Sequence, residues 1–323
     1  MGAYLVTGGA GFIGSHIVEA LVRRGDRVRV LDDLSTGLLE NLQPFGVGDV
    51  GSGAPVEFLH GTITSAAACR AACECVDAVF HEAALVSVPR SFENPLQSYE
   101  TNVMGTLRLL EAARHGGART FVLASSSATY GDSPSLPKHE DMLPEPLSPY
   151  ASGKLAGEHL LRVWGRTHAM KTVSLRYFNV FGPRQRDDSP YTGVVALFAR
   201  ALLEGKPSTF QGDGEQTRDF TYVANVVHAN LLALERDLEP GTVINVGGGD
   251  RISIRAMYRA MARIAGSTLE PIHAPARVGD VRDSAAALER ARALLGYAPR
   301  VAWEDGLATT MDWYRSRLSA ARA

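Results

Sequence analysis

An alternation limits what this chain can become more than any other feature. Short runs of β-branched and other apolar residues recur at 3–7, 27–31, 56–60, 76–81, 119–125 and 171–177. Helical periodicity fills most of the gaps, at 12–24, 64–74, 95–115 and 149–168. Strands that alternate with helices form βαβ units, and each helix returns the chain across a sheet face so that the strands run parallel. With right-handed crossovers, the simplest result is an α/β fold with a doubly wound parallel sheet. Beyond Asn179 the pattern loosens into isolated helices at 192–204, 223–235, 253–265 and 303–317, with short strands such as 242–246. We therefore expect a sheet domain over 1–178. A smaller mixed α/β C-terminal lobe should follow over 179–323, with about 219–248 returning to the sheet. The Pro- and Ser-rich stretch 132–149 reads as a surface loop.

Composition excludes several classes of function. The 323 residues carry a net charge of -2, which favours neither nucleic acid nor an anionic membrane as partner. No apolar run approaches the length of a membrane span. The chain enters a strand-like Ala3-Tyr4-Leu5-Val6 at once, which leaves no room for a secretory signal, so a cytoplasmic protein is expected. The three cysteines, Cys69, Cys73 and Cys75, have only His81 nearby, and they read as reduced thiols on a small helix and not as a metal site.

The first strand runs into Thr7-Gly8-Gly9-Ala10-Gly11-Phe12-Ile13-Gly14, and a helix follows. Glycine at 8, 11 and 14 is a variant of the dinucleotide-binding spacing of the Rossmann fold. It allows a tight turn, a close approach of backbone to pyrophosphate, and a helix N-terminus aimed at the phosphates. The second strand ends in Asp32-Asp33. An acid at that distance from the glycines can hold a ribose 2′-hydroxyl and would repel a 2′-phosphate, so NAD is preferred over NADP, with Asp32 the first candidate. A turn cap within Asp32–Gly37 is the competing reading.

The fifth strand delivers Ser125-Ser126-Ser127 to its carboxyl end, the edge where ligands sit in such sheets. The helix opening at Ser148-Pro149 carries Tyr150 and Lys154 one turn apart on one face. The chain has only four lysines, so the pairing is not a by-product of lysine abundance. A phenol with an ordinary pKa of about 10 is too weakly acidic to serve as base at neutral pH, and a neighbouring cation favours its ionised form. A serine hydroxyl could then bridge substrate oxygen and phenol. Ser125–Ser127 alone would be an unremarkable polar strand end; in this order with Tyr150 and Lys154 it reads as catalytic.

These segments make the chain resemble the extended short-chain dehydrogenase/reductases and, within them, the nucleotide-sugar 4-epimerases acting on UDP-glucose and UDP-N-acetylglucosamine. The resemblance spans nearly the whole chain. It rests on Thr7–Gly14 (TGGAGFIG), His81–Ala84 (HEAA), Ser125–Gly131 (SSSATYG), Tyr150–Lys154 (YASGK), Arg176–Pro183 (RYFNVFGP), Arg218–Phe220 (RDF) and Gly279–Val281 (GDV). It implies tightly held NAD, with Tyr150 as base, Ser126 as its hydroxyl partner and Lys154 also on the nicotinamide ribose. Cofactor contacts would come from Gly8, Gly11, Phe12, Ile13, Gly14, Asp32, Asp33, Ser35, Thr36, Thr62, Ile63 and Ala83. Thr62 and Ile63 stand where the family often has an acid beside the adenine. Val86, Asn179, Arg218, Arg277, Asp280 and Ser284 would meet a UDP-sugar.

Dehydratases of this superfamily carry an acid directly after the catalytic hydroxyl, and decarboxylating relatives carry a glutamate nearby. Here Ser127 and Ala128 follow Ser126. Uronate epimerases tend to have Thr where Asn179 stands. The resemblance thus implies epimerisation at C4 through a 4-keto sugar. Ser284 stands where a large aromatic residue would exclude an N-acetyl group, so N-acetylated sugars should enter as well as plain hexoses; Val86 could narrow the opposite side. Ser284 would also serve as a helix cap ahead of Ala285-Ala286-Ala287. Other nucleotide-sugar oxidoreductases or decarboxylases, and a non-catalytic NAD-sensing scaffold, are the alternatives. A homodimer is expected through the helices at 95–115 and 149–168, whose apolar Leu107, Leu110, Leu155, Leu160 and Leu161 would face a second copy.

Overall fold

A computed structural model describes residues 2–187, 192–275 and 281–322. Eight strands form one sheet: β1 (Ala3–Thr7), β2 (Arg27–Asp32), β3 (Val47–Asp49), β4 (Val56–His60), β5 (Ala78–His81), β6 (Thr120–Ser126), β7 (Lys171–Tyr177) and, after four short strands outside it, β12 (Thr242–Val246). Those four are β8 (Val180–Phe181), β9 (Thr209–Gln211), β10 (Thr217–Arg218) and β11 (Thr221–Tyr222); β13 (Ile252–Ser253) and β14 (Ile272–Ala274) complete the set. The order across the sheet is β12-β7-β6-β5-β1-β2-β4-β3, and every pairing in it is parallel. This is the doubly wound α/β fold that the alternation predicted. The chain winds outward in one direction from β1 and in the other from β5, so the crevice of this sheet opens between those two strands.

The helices are α1 (Phe12–Arg23), α2 (Ala66–Cys73), α3 (Val88–Glu93), α4 (Pro95–Tyr99), α5 (Thr106–His115), α6 (Pro149–His168), α7 (Val194–Leu203), α8 (Val223–Glu235), α9 (Ile254–Ala265), α10 (Glu289–Leu295) and α11 (Trp303–Arg322). Both sheet faces are covered. On β1, Leu5 and Val6 are each fully buried, yet Leu5 packs with α2 and α5 residues such as Cys69 and Leu109, and Val6 with Ile17 and Val226 from α1 and α8. Successive strand side chains point to opposite faces, which explains why the strands read as unbroken apolar runs and not as alternating ones. Each such side chain withdrawn from water contributes about 1.5–3 kcal/mol. A third cluster, centred on Phe198, Phe210, Met257 and Tyr258, holds α7, α9 and α11 together in the lobe.

Three expectations are corrected. The segment 95–115 is not one helix: α4 passes through a π-helical stretch, Glu100–Gly105, before α5 begins. There the Asn102 side chain accepts from Leu85 N and donates to Leu85 O, at 2.8 and 3.1 Å, tying the wide turn to the strand end beyond β5. The leucine stripe is only in part open to a second copy. Leu110 and Leu161 are fully buried against the sheet, and Leu107, Leu155 and Leu160 are partly covered. The large apolar side chains left exposed on those helices are Leu96, Tyr99, Met104 and Val163, and Phe92 is exposed on the preceding α3. Finally, Ser284 caps no helix: it lies in an extended segment bridged to Thr217, and α10 starts five residues later behind Leu288.

Among the described residues, no helix is long and apolar enough to cross a membrane, and no group of His, Cys, Asp and Glu is arranged to hold a metal ion.

Candidate active site

A cleft of about 1540 Å³ runs along the carboxyl ends of the strands, between the sheet and the lobe. Its cofactor side is shaped by backbone. Gly8 has a φ of +67°, and a Cβ on Gly14 would lie 2.2 Å from the Gly8 carbonyl oxygen. Only glycine allows α1 to start this close to the turn. Gly11 is the N-cap of α1 and offers no side chain, and no acid stands in the first turn. The first N–H groups of the helix therefore remain for an anionic ligand. A pyrophosphate fits this cradle.

Asp32 shows both readings of its sequence position at once. Its carboxylate is buried and accepts from Ala10 N and from Leu34 N, each at 2.9 Å, so it ties the glycine turn to the loop after β2. Burial raises its pKa, and those two bonds pull it back down. Each carboxylate oxygen retains a lone pair for a ribose hydroxyl. Asp33 is exposed and accepts from Ser35 N at 2.9 Å.

Opposite this cradle, β6 and α6 bring three side chains together. The Ser148 hydroxyl accepts from Ala151 N at 3.1 Å and, with Pro149 behind it, starts α6 at the sheet edge. The Ser126 hydroxyl is near enough to the Tyr150 phenol to lower its pKa, and Ser126 accepts from Ala128 N at 3.1 Å. Lys154 Nζ donates to Ala124 O at 2.7 Å and lies 6.0 Å from the centre of the Tyr150 ring. Burial pushes the Tyr150 phenol up and the Ser126 hydroxyl opposes that shift; burial also lowers Lys154 to about 8.

Every described residue named from the sequence lines this cleft. Phe12, Ile13, Ser35, Thr36, Thr62, Ile63 and Ala83 line it, as do Val86, Asn179, Arg218 and Ser284. Asn179 Nδ2 donates to Asp219 O at 3.2 Å, and Arg218 Nη1 donates to Thr217 O and Arg282 O at 2.9 and 3.1 Å. Ser284 is 8% exposed, whereas Val86, at 66%, stands at the mouth. Arg277 and Asp280 lie outside the described residues.

Sequence reasoning missed two groups, the buried Glu158 and the partly exposed Glu82. Glu158, two turns beyond Tyr150 on the same helix face, accepts from Ser125 Oγ at 2.5 Å and from Arg176 Nε and Nη2 at 2.9 and 2.7 Å. That clamp fixes α6 to β6 and β7 beneath the site. The signal was present as a third polar position in the series 150, 154, 158. Glu82, inside the HEAA segment, faces the cleft and accepts from Tyr177 Oη at 2.8 Å.

Comparison with known proteins agrees with this geometry. The sequence profile described as the NAD dependent epimerase/dehydratase family matches residues 4–247. A UDP-glucose 4-epimerase from Mycolicibacterium smegmatis is 41% identical over 315 residues, covering 97% of this chain and 98% of that one. The structure of a UDP-glucose 4-epimerase from Thermotoga maritima with UDP-glucose superposes with a TM-score of 0.91 at 36% identity, covering 98% and 99% of the two chains. A UDP-N-acetylglucosamine 4-epimerase from Methanobrevibacter ruminantium, in complex with UDP-N-acetylmuramic acid, gives a TM-score of 0.91 at 35% identity, with coverage of 98% and 99%. The chain belongs to the NAD-dependent epimerase/dehydratase family, among its enzymes of UDP-sugars.

Proposed function

We propose that this protein epimerises UDP-hexoses at C4, interconverting UDP-glucose with UDP-galactose and UDP-N-acetylglucosamine with UDP-N-acetylgalactosamine. The observation that carries this is Ser126, Tyr150 and Lys154 brought to one cleft, with Lys154 Nζ 6.0 Å from the Tyr150 ring and Ser126 followed by Ser127 and Ala128 in place of an acid. Bound NAD supplies a hydride acceptor and donor. The chain supplies the proton chemistry and the positioning. Tyr150 Oη, as phenolate, takes the proton of the sugar 4-hydroxyl through Ser126 Oγ, and Lys154 stabilises that phenolate. The 4-keto sugar turns about its diphosphate within the cleft, and the same proton returns to O4 with the opposite face presented.

Asn179 and Arg218 hold the sugar nucleotide in this reading, with Arg277 and Asp280 closing on phosphate and ribose. An arginine suits a diphosphate because its donors form a planar fork. Ser284 leaves room for an N-acetyl group, while the branched Val86 side chain at the mouth narrows the opposite side. Three free thiols suit a reducing cytoplasm. The open apolar side chains of α3 to α6 favour a homodimer, and light scattering at micromolar concentration tests it: a monomer contradicts the dimer.

The test of the activity is a panel of UDP-sugars incubated with purified protein and no added NAD, with products identified by NMR. Equilibration of the C4 epimers supports the proposal. A decarboxylated or dehydrated product, or a stoichiometric need for added NAD, contradicts it.

A further inference from the structure

Glu82 lies just past β5, in the same cleft as Ser126, Tyr150 and Lys154, and no step above uses it. Its surroundings are directional. Asn230 Nδ2 donates to Tyr177 Oη at 2.7 Å, and Tyr177 Oη donates to Glu82 Oε1 at 2.8 Å. The amide is itself oriented by a second donation, to Val226 O at 2.9 Å. The Tyr177 proton is thus committed to the carboxyl, an arrangement that favours its ionised form. Among the described residues, the charged or titratable groups acting on Glu82 are Tyr177 from β7 and Lys154 from α6, and Glu82 acts in turn on Tyr150 from α6. Asn230, from α8, is neutral. His81 beside it is neutral as well, pushed down to about 3 by burial, with its ring nitrogens hydrogen-bonded to Thr7 and Thr106.

We propose that Glu82 is a positioning residue that acts through its charge: its carboxylate keeps Lys154 protonated and sets the basicity of the Tyr150 phenol. This rests on the catalytic reading of Ser126, Tyr150 and Lys154 given above. A buried ammonium whose hydrogen bond goes to the neutral Ala124 carbonyl is costly to keep charged without a counter-ion. Burial drives Lys154 down and Glu82 up, and each opposes the other's neutralisation. A phenolate surrounded by cations alone would also be a weak base, whereas a nearby carboxylate restores its affinity for the sugar's proton.

Glu82→Gln tests this, since the amide oxygen can still accept from Tyr177. Two quantities are read on the holoenzyme. One is the pH midpoint of the Tyr150 phenolate absorbance, taken as the difference from Tyr150→Phe; the other is the pH profile of kcat/KM. Removing the negative charge that Glu82 carries when ionised lowers the proton affinity of every group facing it. The phenolate midpoint and both limbs of the profile should therefore move to lower pH by about one unit. A midpoint and limbs that stay within about 0.2 unit, or that move to higher pH, overturn the proposal. Tyr177→Phe removes the donor to Glu82, with Asn230 Nδ2 keeping its bond to Val226 O, and should give a smaller acid shift, about half a unit; in the Glu82→Gln background it should add nothing. Full additivity of the two overturns the relay. If Glu82→Gln does not fold, Tyr177→Phe decides alone, and no shift in it overturns the proposal. The absorbance reports on Glu82 even if Tyr150 proves not to be the base, a failure that would instead show as undiminished turnover in Tyr150→Phe.

Discussion

The two walls of the cleft are built by different means. On the cofactor wall, shape comes from the backbone of one continuous stretch. Gly8, Gly11 and Gly14 lie within a single strand–turn–helix unit, and Asp32 locks that turn through two backbone N–H groups. On the wall proposed for the sugar, Asn179, Arg218 and Ser284 come from three distant segments, joined by short strands and by bridges such as Thr217 to Asp283 and Lys138 to Ala286. A wall made by local backbone leaves a spacing in the sequence, and a wall made by distant side chains leaves none. The two should also fail differently when altered: damage to the first should affect cofactor alone, and damage to the second should affect the choice of sugar alone.

The largest effect is expected where the walls meet. Tyr150→Phe keeps the ring's packing and loses only the hydroxyl, so turnover should fall on the order of 10²–10⁴-fold. NAD and UDP-sugar should stay bound, as equilibrium binding would show. Glu158→Ala attacks the junction from below by leaving the Arg176 charge buried and unpaired. It should cost about 3–5 kcal/mol of stability, read from urea unfolding. Gly14→Ala puts a methyl group against the Gly8 carbonyl and should weaken NAD retention by about 3 kcal/mol, or about a hundredfold. UDP-sugar affinity should be untouched by that change; an equal loss of both ligands would break the distinction between the walls. The smallest effect is expected from Ser284→Tyr, with about a tenfold loss on N-acetylated sugars and little on plain hexoses in kcat/KM. Equal loss on both, or none, would remove Ser284 as the gate.

The same contrast explains what could be read ahead of the structure. The bounds of α6 were legible because Ser148 and Pro149 are start signals that act through the nearest turn. The π-helical turn at Glu100–Gly105 was not, because apolar spacing at 95–115 fits a continuous helix. What widens the turn is remote: Asn102 bonds to Leu85, and Gly105 sits where a Cβ would lie 2.8 Å from Ile63 Cδ1. β3 was missed because three residues containing a glycine carry no periodicity. The leucine stripe misled because an amphipathic helix shows that one face is apolar without showing what covers it; here the sheet covers Leu110 and Leu161. Glu82 stayed hidden inside a quoted motif, since only the fold brings Tyr177 and Asn230 to it.

Hydride return is the heart of the account, and one label follows it directly. UDP-glucose deuterated at C4 is incubated with the purified protein in ordinary water, without added NAD, and the UDP-galactose formed is examined by NMR. The account predicts that the deuterium remains at C4 of the product, because bound NAD would supply both hydride acceptor and donor while the chain's own groups exchange only the proton on O4. Loss of the label to solvent, or a product altered anywhere other than C4, would contradict it.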